Sequence, residues 1–408
     1  MEAVLKILLL TQWFDPEPAF KGLAFARALR EQGHEVQVIT GFPNYPGGNV
    51  YPGYRIKWLQ RELIDGVQVC RVPLYPSHDG SGLGRALNYI SFAAASSLFG
   101  IFAVRKADVI YAYHPPLTVG MAAALIGWFR RTPVVYDIQD MWPDTLKATG
   151  MLNNPRALSL IGRICQWVYR RASALVVLSP GFKQLLLERG VAKEKVSVIY
   201  NWCDAAALTN PQSHQTPAAM QGRFNVVFAG TMGKAQALDA VIDAAALVAT
   251  RNPAVQFVFV GGGVDVDRLK SLAQQKSPSN VVFLPRMPMN EVGNVLNGAD
   301  VLLVHLRDDP LFAITVPSKT QAYMAVGKPL LMAVRGDAAD LVRAAECGEV
   351  VTPEDSREIA EAVLRLASLP PAELAGMGQR GAAFYRRELA IDVGVARFVR
   401  VFESVKRI

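Results

Sequence analysis

With 408 residues, 51% of them apolar and 19% charged, the chain exceeds what one hydrophobic core usually supports, so two domains are expected. Four scattered cysteines (Cys70, Cys165, Cys203, Cys347), with no C-x-x-C spacing and no histidine partners, argue against a disulfide framework or a structural zinc site and fit a reducing cytoplasm. The net charge of +8 suits phosphate-bearing small molecules, an anionic membrane surface or nucleic acid, although ordinary solubility charge is an equal alternative.

The start, MEAVLKILLLTQWFDPEP, lacks a basic leading region and a cleavage site, and reads as a first β-strand. The Pro-rich turn WFDPEPAFKGLAFARAL then enters a helix near Lys21 and Gly22. Amides at a helix N-terminus attract anions and Lys21 would add a charge, while an ordinary turn with an exposed lysine is the plainer reading. After the strand HEVQVITG comes PNYPGGNVYPGY (43–54), a rigid aromatic loop containing Tyr45 that either shapes a substrate site or is a surface loop.

Residues 86–104 (ALNYISFAAASSLFGIFAV) carry no charge and are flanked by Arg85 and Arg105-Lys106. Asn88 and three serines dilute the segment, so a helix packed in the fold or lying on a membrane surface is expected, not a span. His114 closes the strand DVIYAYH before Pro115-Pro116 and can hydrogen-bond a sugar hydroxyl or developing charge, or be structural. VYDIQDMWPD gathers Asp137, Asp140 and Asp144 with Trp142, which suits the hydroxyls and apolar face of a sugar ring. Helix capping by Asp140 and packing of Trp142 is the competing account. Two further strands, ALVVLSP and VSVIYN, complete a βαβ rhythm that specifies a parallel sheet.

Residues 204–223 lose periodicity and read as a linker, after which the rhythm restarts. FAGTMGKAQALDAV (228–241) runs strand, glycines, Lys234, helix, which is a phosphate-cradle pattern without a complete P-loop. VFVGGGVDVDRL carries only an incomplete dinucleotide fingerprint, so a dinucleotide dehydrogenase is a weaker reading. In VPSKTQAYMAVGKP (316–329) Ser318 is expected to cap a helix, Pro317 to sit where its missing N–H is harmless, and Lys319 to pair with a phosphate; a purely structural capped helix is the alternative. The fold class is therefore α/β, with two doubly wound Rossmann-like domains whose parallel sheets face a central cleft. The expected boundaries are 1–205, a linker 206–223, 224–382, and a C-terminal helical stretch 383–408 packing back across the domains.

Six stretches together resemble the retaining family 4 glycosyltransferases of GT-B architecture over essentially the whole chain: FDPEPAFKGLAFARALREQGHEVQVITGFPNYPGG, DIQDMWPDTLKATGML, ALVVLSPGFKQLLLERGV, VSVIYNWCD, FAGTMGKAQALDAV and VPSKTQAYMAVGKP. The fucosamine-transferase-like subgroup that builds O-antigen or capsule repeat units is the most similar. The resemblance implies a nucleotide-sugar donor, usually a UDP sugar, an N-acetyl-6-deoxyhexosamine such as fucosamine being one candidate. It also implies a polyprenyl-diphosphate-linked saccharide acceptor, an anionic membrane surface as a partner, no nucleic acid, and no cofactor or essential metal. The enzyme would sit in the cytoplasm against the inner face of the membrane.

By position, the resemblance places Gly230, Thr231, Gly233 and Lys234 near the diphosphate, Gly262, Arg286 and Met287 at the base, and Thr315, Ser318 and Lys319 at the phosphates. Lys21 and Gly22 match the first-domain loop beside the donor phosphate, and His114 falls beside the reacting sugar. His114, Lys234 and Lys319 are the catalytic candidates; Tyr45, Asp140 and Trp142 are acceptor-side candidates. Two departures stand out. The family's paired glutamates fall at Ile314 and Ala322, leaving Gln321 as the nearest polar group for the ribose, and its usual Arg and Lys fall at Thr231 and Gln236. A sugar-nucleotide epimerase of the same shape and a non-catalytic nucleotide-sugar-binding protein are the alternative functions.

Overall fold

The computed structural model describes residues 4–77, 82–209, 216–276 and 279–406. Contacts divide the chain into two units, one formed by Met1–Tyr200 with Gly394–Ile408 and the other by Asn201–Val393.

In chain order the first unit contains β1 (Lys6–Leu10), α1 (Leu23–Glu31), β2 (Glu35–Gly41), β3 (Gln60–Ile64), β4 (Val67–Val72), α2 (Gly82–Phe102), β5 (Val109–Tyr113), α3 (Leu117–Arg130), β6 (Val134–Ile138), α4 (Asp144–Ala148), α5 (Pro155–Arg171), β7 (Ala174–Val177), α6 (Pro180–Glu188) and β8 (Val196–Val198). Its sheet runs β3-β4-β2-β1-β5-β6-β7-β8. The order reverses direction between β1 and β5, and helices cover both faces, as in doubly wound folds. β5 and β6 are buried along their whole lengths, which is why their sequences are unbroken apolar runs and not alternating ones.

β3 departs from the all-parallel expectation. It pairs antiparallel with β4 through an Asp65-Gly66 turn in which both residues have positive φ, the conformation that a two-residue hairpin requires.

The segment 86–104 forms most of α2. One side of this helix faces the protein through Asn88, Phe92, Ser96 and Gly100, all buried. No helix among the described residues is long and apolar enough to cross a membrane.

The second unit contains α7 (Ala205–Thr209), β9 (Phe224–Thr231), α8 (Asp239–Ala249), β10 (Val255–Gly262), α9 (Val266–Lys276), β11 (Val281–Leu284), α10 (Met289–Asn297), β12 (Val301–His305), α11 (Pro310–Ala313), α12 (Ser318–Val326), β13 (Leu330–Ala333), α13 (Asp337–Ala345), β14 (Gly348–Val350), α14 (Ser356–Ser368) and α15 (Pro371–Phe384). The sheet order is β11-β10-β9-β12-β13-β14, all parallel. One face is packed by α8 and α14 around Phe228, Val241, Phe257 and Val363.

Of the expected linker, residues 205–209 form α7, Ala218–Met220 form a 3-10 turn, and 210–215 lie outside the described residues. After a π-turn at Tyr385–Leu389, α16 (Ile391–Val405) enters the first unit from Gly394 onward. There Phe398 meets Phe25 and Tyr111 edge-on, with ring centroids 5.2 and 5.5 Å apart.

Candidate active site

In the second unit, the carboxyl end of β9 is where chemistry-bearing residues gather. Gly230 and Thr231 end the strand in exposed positions, and Lys234–Gln236 make a 3-10 turn with the Lys234 side chain exposed. Gly261, beside it on β10, has φ +136°, and a Cβ there would lie 2.1 Å from Gly230 O, so only glycine lets the two strand ends approach. Gly262 accepts from Met232 N at 2.8 Å and closes the two loops into one surface.

Lys319 reaches this strand end from α12. Its ammonium is shielded and has no hydrogen-bond partner among the described residues; it lies 3.5 Å from the centroid of the Phe228 ring. A Cβ on Gly230 would be 3.2 Å from Nζ. Burial pushes the Lys319 pKa down to about 7, because the desolvated charge is compensated only by the aromatic face.

Helix α12 itself begins differently from the sequence expectation. Pro317, extended at φ −61° and ψ 137°, is the N-cap, and Ser318 is already the first helical residue, so it does not cap. Gln321 is buried, and its amide nitrogen donates to Pro317 O (2.9 Å) and Ser318 O (3.1 Å), tying off the first turn of its own helix. Thr315 turns its hydroxyl back to Leu311 O at 2.8 Å. Arg286 is exposed and Met287 half-buried in the segment after β11.

Two residues that the sequence left unremarked fix this region. Tyr323 accepts from Ala229 N (2.8 Å) and donates to Ala229 O (3.2 Å), clamping α12 to β9. His305, at the end of β12, accepts from Glu354 N through Nε2, so Nδ1 carries the proton and donates to Gln236 O at 2.7 Å. Burial, the largest influence, lowers the His305 pKa and keeps this bridge neutral.

In the first unit, Lys21 is buried and its Nζ lies 2.6 Å from Asp137 Oδ2. Tyr111 donates to the same oxygen and Gln139 to Oδ1, both at 2.6 Å. Lys21 thus stitches the turn before α1 to the carboxyl end of β6. Gly22 is the N-cap of α1, and the first helical amide, Leu23 N, donates to Asp15 Oδ2 at 2.7 Å. The chain therefore supplies its own anion at that helix N-terminus.

His114 is buried after β5, its ring edge-on to Trp142 at 5.4 Å and to Tyr136 at 5.9 Å. Its Nδ1 has no partner among the described residues, and burial pushes its pKa down to about 3, so the ring is neutral. Asp140 is half-buried and its pKa is raised by burial; α4 is capped by Pro143, not by Asp140. Tyr45 packs against Trp13 in a tilted arrangement, with ring centroids 4.6 Å apart.

The loop carrying Tyr45 is pinned by Glu17, whose Oε1 accepts from Asn44 N and Tyr45 N, both at 2.7 Å, and whose Oε2 accepts from Phe14 N at 3.3 Å. Burial outweighs these bonds and raises the Glu17 pKa to about 7. Asn88 of α2 adds a second tie, donating to Asn44 Oδ1 at 3.3 Å and to Tyr75 O at 2.7 Å.

With this geometry in place, the comparisons are decisive on class. Residues 23–202 match the glycosyl transferase 4-like domain, and residues 210–383 match the glycosyl transferases group 1 domain. The chain belongs to the family 4 type of GT-B glycosyltransferases. Among curated relatives, the putative colanic acid biosynthesis glycosyl transferase WcaI of Escherichia coli K12 is 29% identical over 314 residues, covering 73% of this chain and 75% of the relative. The probable glycosyltransferase WbjE of Pseudomonas aeruginosa is 26% identical over 303 residues, covering 72% and 75%. Among solved structures, Anabaena Alr3699/HepE in complex with UDP and glucose superposes with a TM-score of 0.69 at 19% identity, covering 98% of this chain and all of that one. An Escherichia coli trehalose-6-phosphate protein bound with UDP-2-fluoro glucose superposes at 0.75 and 11% identity, covering 98% and 99%. At these identities the two structures establish the fold of this glycosyltransferase.

Proposed function

We propose that the enzyme transfers a sugar, with retention of configuration, from a UDP-sugar to a polyprenyl-diphosphate-linked saccharide during assembly of a surface polysaccharide. The observation that carries this reading is the shielded, unpartnered Lys319 ammonium beside Gly230 at the end of β9. A buried cation without an anion is costly, and a bound diphosphate would supply the missing partner. The colanic acid biosynthesis in the name of WcaI and the UDP complexes of structural neighbours support the substrate class. An N-acetyl-6-deoxyhexosamine such as fucosamine is the proposed donor sugar.

In the proposed reaction the bond from the anomeric carbon to the β-phosphate oxygen breaks as the acceptor hydroxyl forms the new glycosidic bond on the same face. The hydroxyl proton passes to the departing diphosphate, so no protein base is required. Lys319, with the exposed Lys234, stabilises the charge that develops on the diphosphate, which is the main catalytic work. Gly230, Thr231 and Gly233 let the phosphates approach the backbone. Neutral His114 offers a hydrogen bond to a sugar hydroxyl, and Tyr45, Asp140 and Trp142 face the acceptor. Lys21 acts through Asp137 as a positioning residue. No metal takes part in this scheme, so transfer should continue in excess EDTA.

The test is incubation of the purified protein with UDP-sugars, with and without membrane lipid extract. UDP release that depends on the lipid extract supports the transferase. Isomerised sugar nucleotide formed without lipid would make it an epimerase, and binding without turnover would make it a non-catalytic binder.

A further inference from the structure

The outward side of α2 is an apolar stripe. Leu83, Leu87, Ile90, Leu98 and Phe102 are 45–77% exposed and follow one another at steps of three, four or eight residues, opposite the buried Phe92, Ser96 and Gly100. This spacing puts them on one face of the helix. Helix α3 presents a second set: Leu125, Trp128 and Phe129, at i, i+3 and i+4, are 40–63% exposed.

The two sets lie in one layer. A Cβ on Gly100 of α2 would meet Ile126 of α3 and, beneath both, Ile39 of β2. Arg130 at the end of α3 donates to Gly100 O, Ile101 O and Val104 O, closing the end of α2 against α3. Large exposed apolar faces of this kind mark interaction sites.

The charge around the face decides the partner. Neither helix contains an acidic residue. The basic residues at the helix ends are Arg85 in the first turn of α2, Arg105 and Lys106 after it, and Arg131 after α3, the last three exposed. Leucines with Trp and Phe on one side and basic residues at the margins form the pattern of a helix lying in the headgroup region of an anionic bilayer. The opposite side of α2 is held by the sheet and α3, so the helix lies along a bilayer and does not leave the fold to cross one.

We propose that the outward faces of α2 and α3 form a membrane-docking surface that inserts Phe102, Trp128 and the α2 leucines into an anionic lipid surface. This deepens the proposed function by giving the lipid-borne acceptor a place to be met. Asn88, buried beneath the stripe, ties α2 to Asn44 in the loop that carries Tyr45, so docking bears on that loop directly.

Flotation with phosphatidylcholine and phosphatidylcholine/phosphatidylglycerol vesicles tests the surface without any sugar nucleotide. Wild-type protein is expected to float with the anionic vesicles. F102E/W128E and, separately, R105Q/K106Q should lower the bound fraction about tenfold or more. L247E, at an exposed apolar residue of α8 in the other unit, should not. Circular dichroism of each variant confirms folding, which these exposed substitutions should leave intact. Wild-type flotation by both double variants overturns the proposal. So does a wild-type dimer in sedimentation that F102E/W128E converts to monomer with flotation unchanged, since the face would then hold a second copy. A chain that floats but transfers no sugar overturns the proposed function alone; one that transfers to a detergent-dispersed acceptor but never floats overturns the docking surface alone.

Discussion

Lys319 Nζ sits 3.5 Å above the centre of the Phe228 ring, held there by the Tyr323 clamp between α12 and β9. The ring's negative face is a weak substitute for an anion, which leaves the ammonium titrating at about 7 instead of its ordinary 10.5. A diphosphate at the end of β9 should restore the charge, so UDP binding above pH 7 should take up a proton. Calorimetry in buffers of different ionisation enthalpy measures this uptake, and Lys319→Met should abolish it. In turnover, Lys319→Ala should lower kcat by about 10²-fold or more; near-normal kcat removes Lys319 from catalysis. For the free protein the sign is opposite. The folded state binds fewer protons than the unfolded state between about 7 and 10.5, so this group's contribution to stability rises with pH across that window. Lys319→Met should accordingly raise the melting temperature at pH 7.

The ion pair between Lys21 and Asp137 makes a different prediction for the other lysine that follows a strand-to-helix turn. Both partners are buried, and Asp137 already accepts from Tyr111 and Gln139. Lys21→Ala leaves a carboxylate desolvated without its cation, which costs about 3–5 kcal/mol. Urea unfolding should show this loss. Lys21→Met with Asp137→Asn should recover much of it, because the uncompensated charge is gone. A Lys21→Ala protein of wild-type stability would mean that the pair is not formed in solution.

These two lysines show where a single sequence stops being legible. The buried strands could be read directly, because runs such as VIYAY and VLLVH must lie between helical layers. The turn after β9 and the helix beginning at Ser318 were equally readable as elements. The partner of Lys21 lies 116 residues away, beyond any local pattern. Ser318 looked like a cap because serine usually is one, but Pro317 already has the extended conformation that the position needs. The β3–β4 hairpin did carry a readable signal, the Asp65-Gly66 pair between two short extended runs. Glu17, Tyr323 and His305 had none, since each acts by bonding backbone that the fold brings to it.

Glu17 gives a pH prediction of opposite sign to Lys319. Its pKa is raised from 4.5 to about 7, mainly by burial, so the folded state binds more protons than the unfolded state between those values. Its contribution to stability is therefore full below about pH 4.5 and is lost as pH rises towards 7. Glu17→Gln should flatten the pH dependence of the melting temperature over this window, and its melting temperature relative to wild type should be higher at pH 8 than at pH 5. Equal differences at the two pH values would place the ordinary carboxyl pKa at this site.

His114 offers the cleanest separation of a structural from a functional histidine. Burial holds its pKa at about 3, so the ring stays neutral at every assay pH, and its Nδ1 has no partner among the described residues. The pH dependence of kcat/KM should then show no limb near 6.5 that disappears in His114→Gln. If Nδ1 serves a sugar hydroxyl, His114→Ala should lower kcat by about 10²-fold while the melting temperature measures any packing loss against Trp142 and Tyr136. His114→Asn, which keeps a polar group near Nδ1, should recover part of kcat. Recovery of stability without kcat would make the histidine a packing residue. An NMR titration of the ring with a midpoint between 6 and 7 would remove the basis for a permanently neutral donor or acceptor at this position.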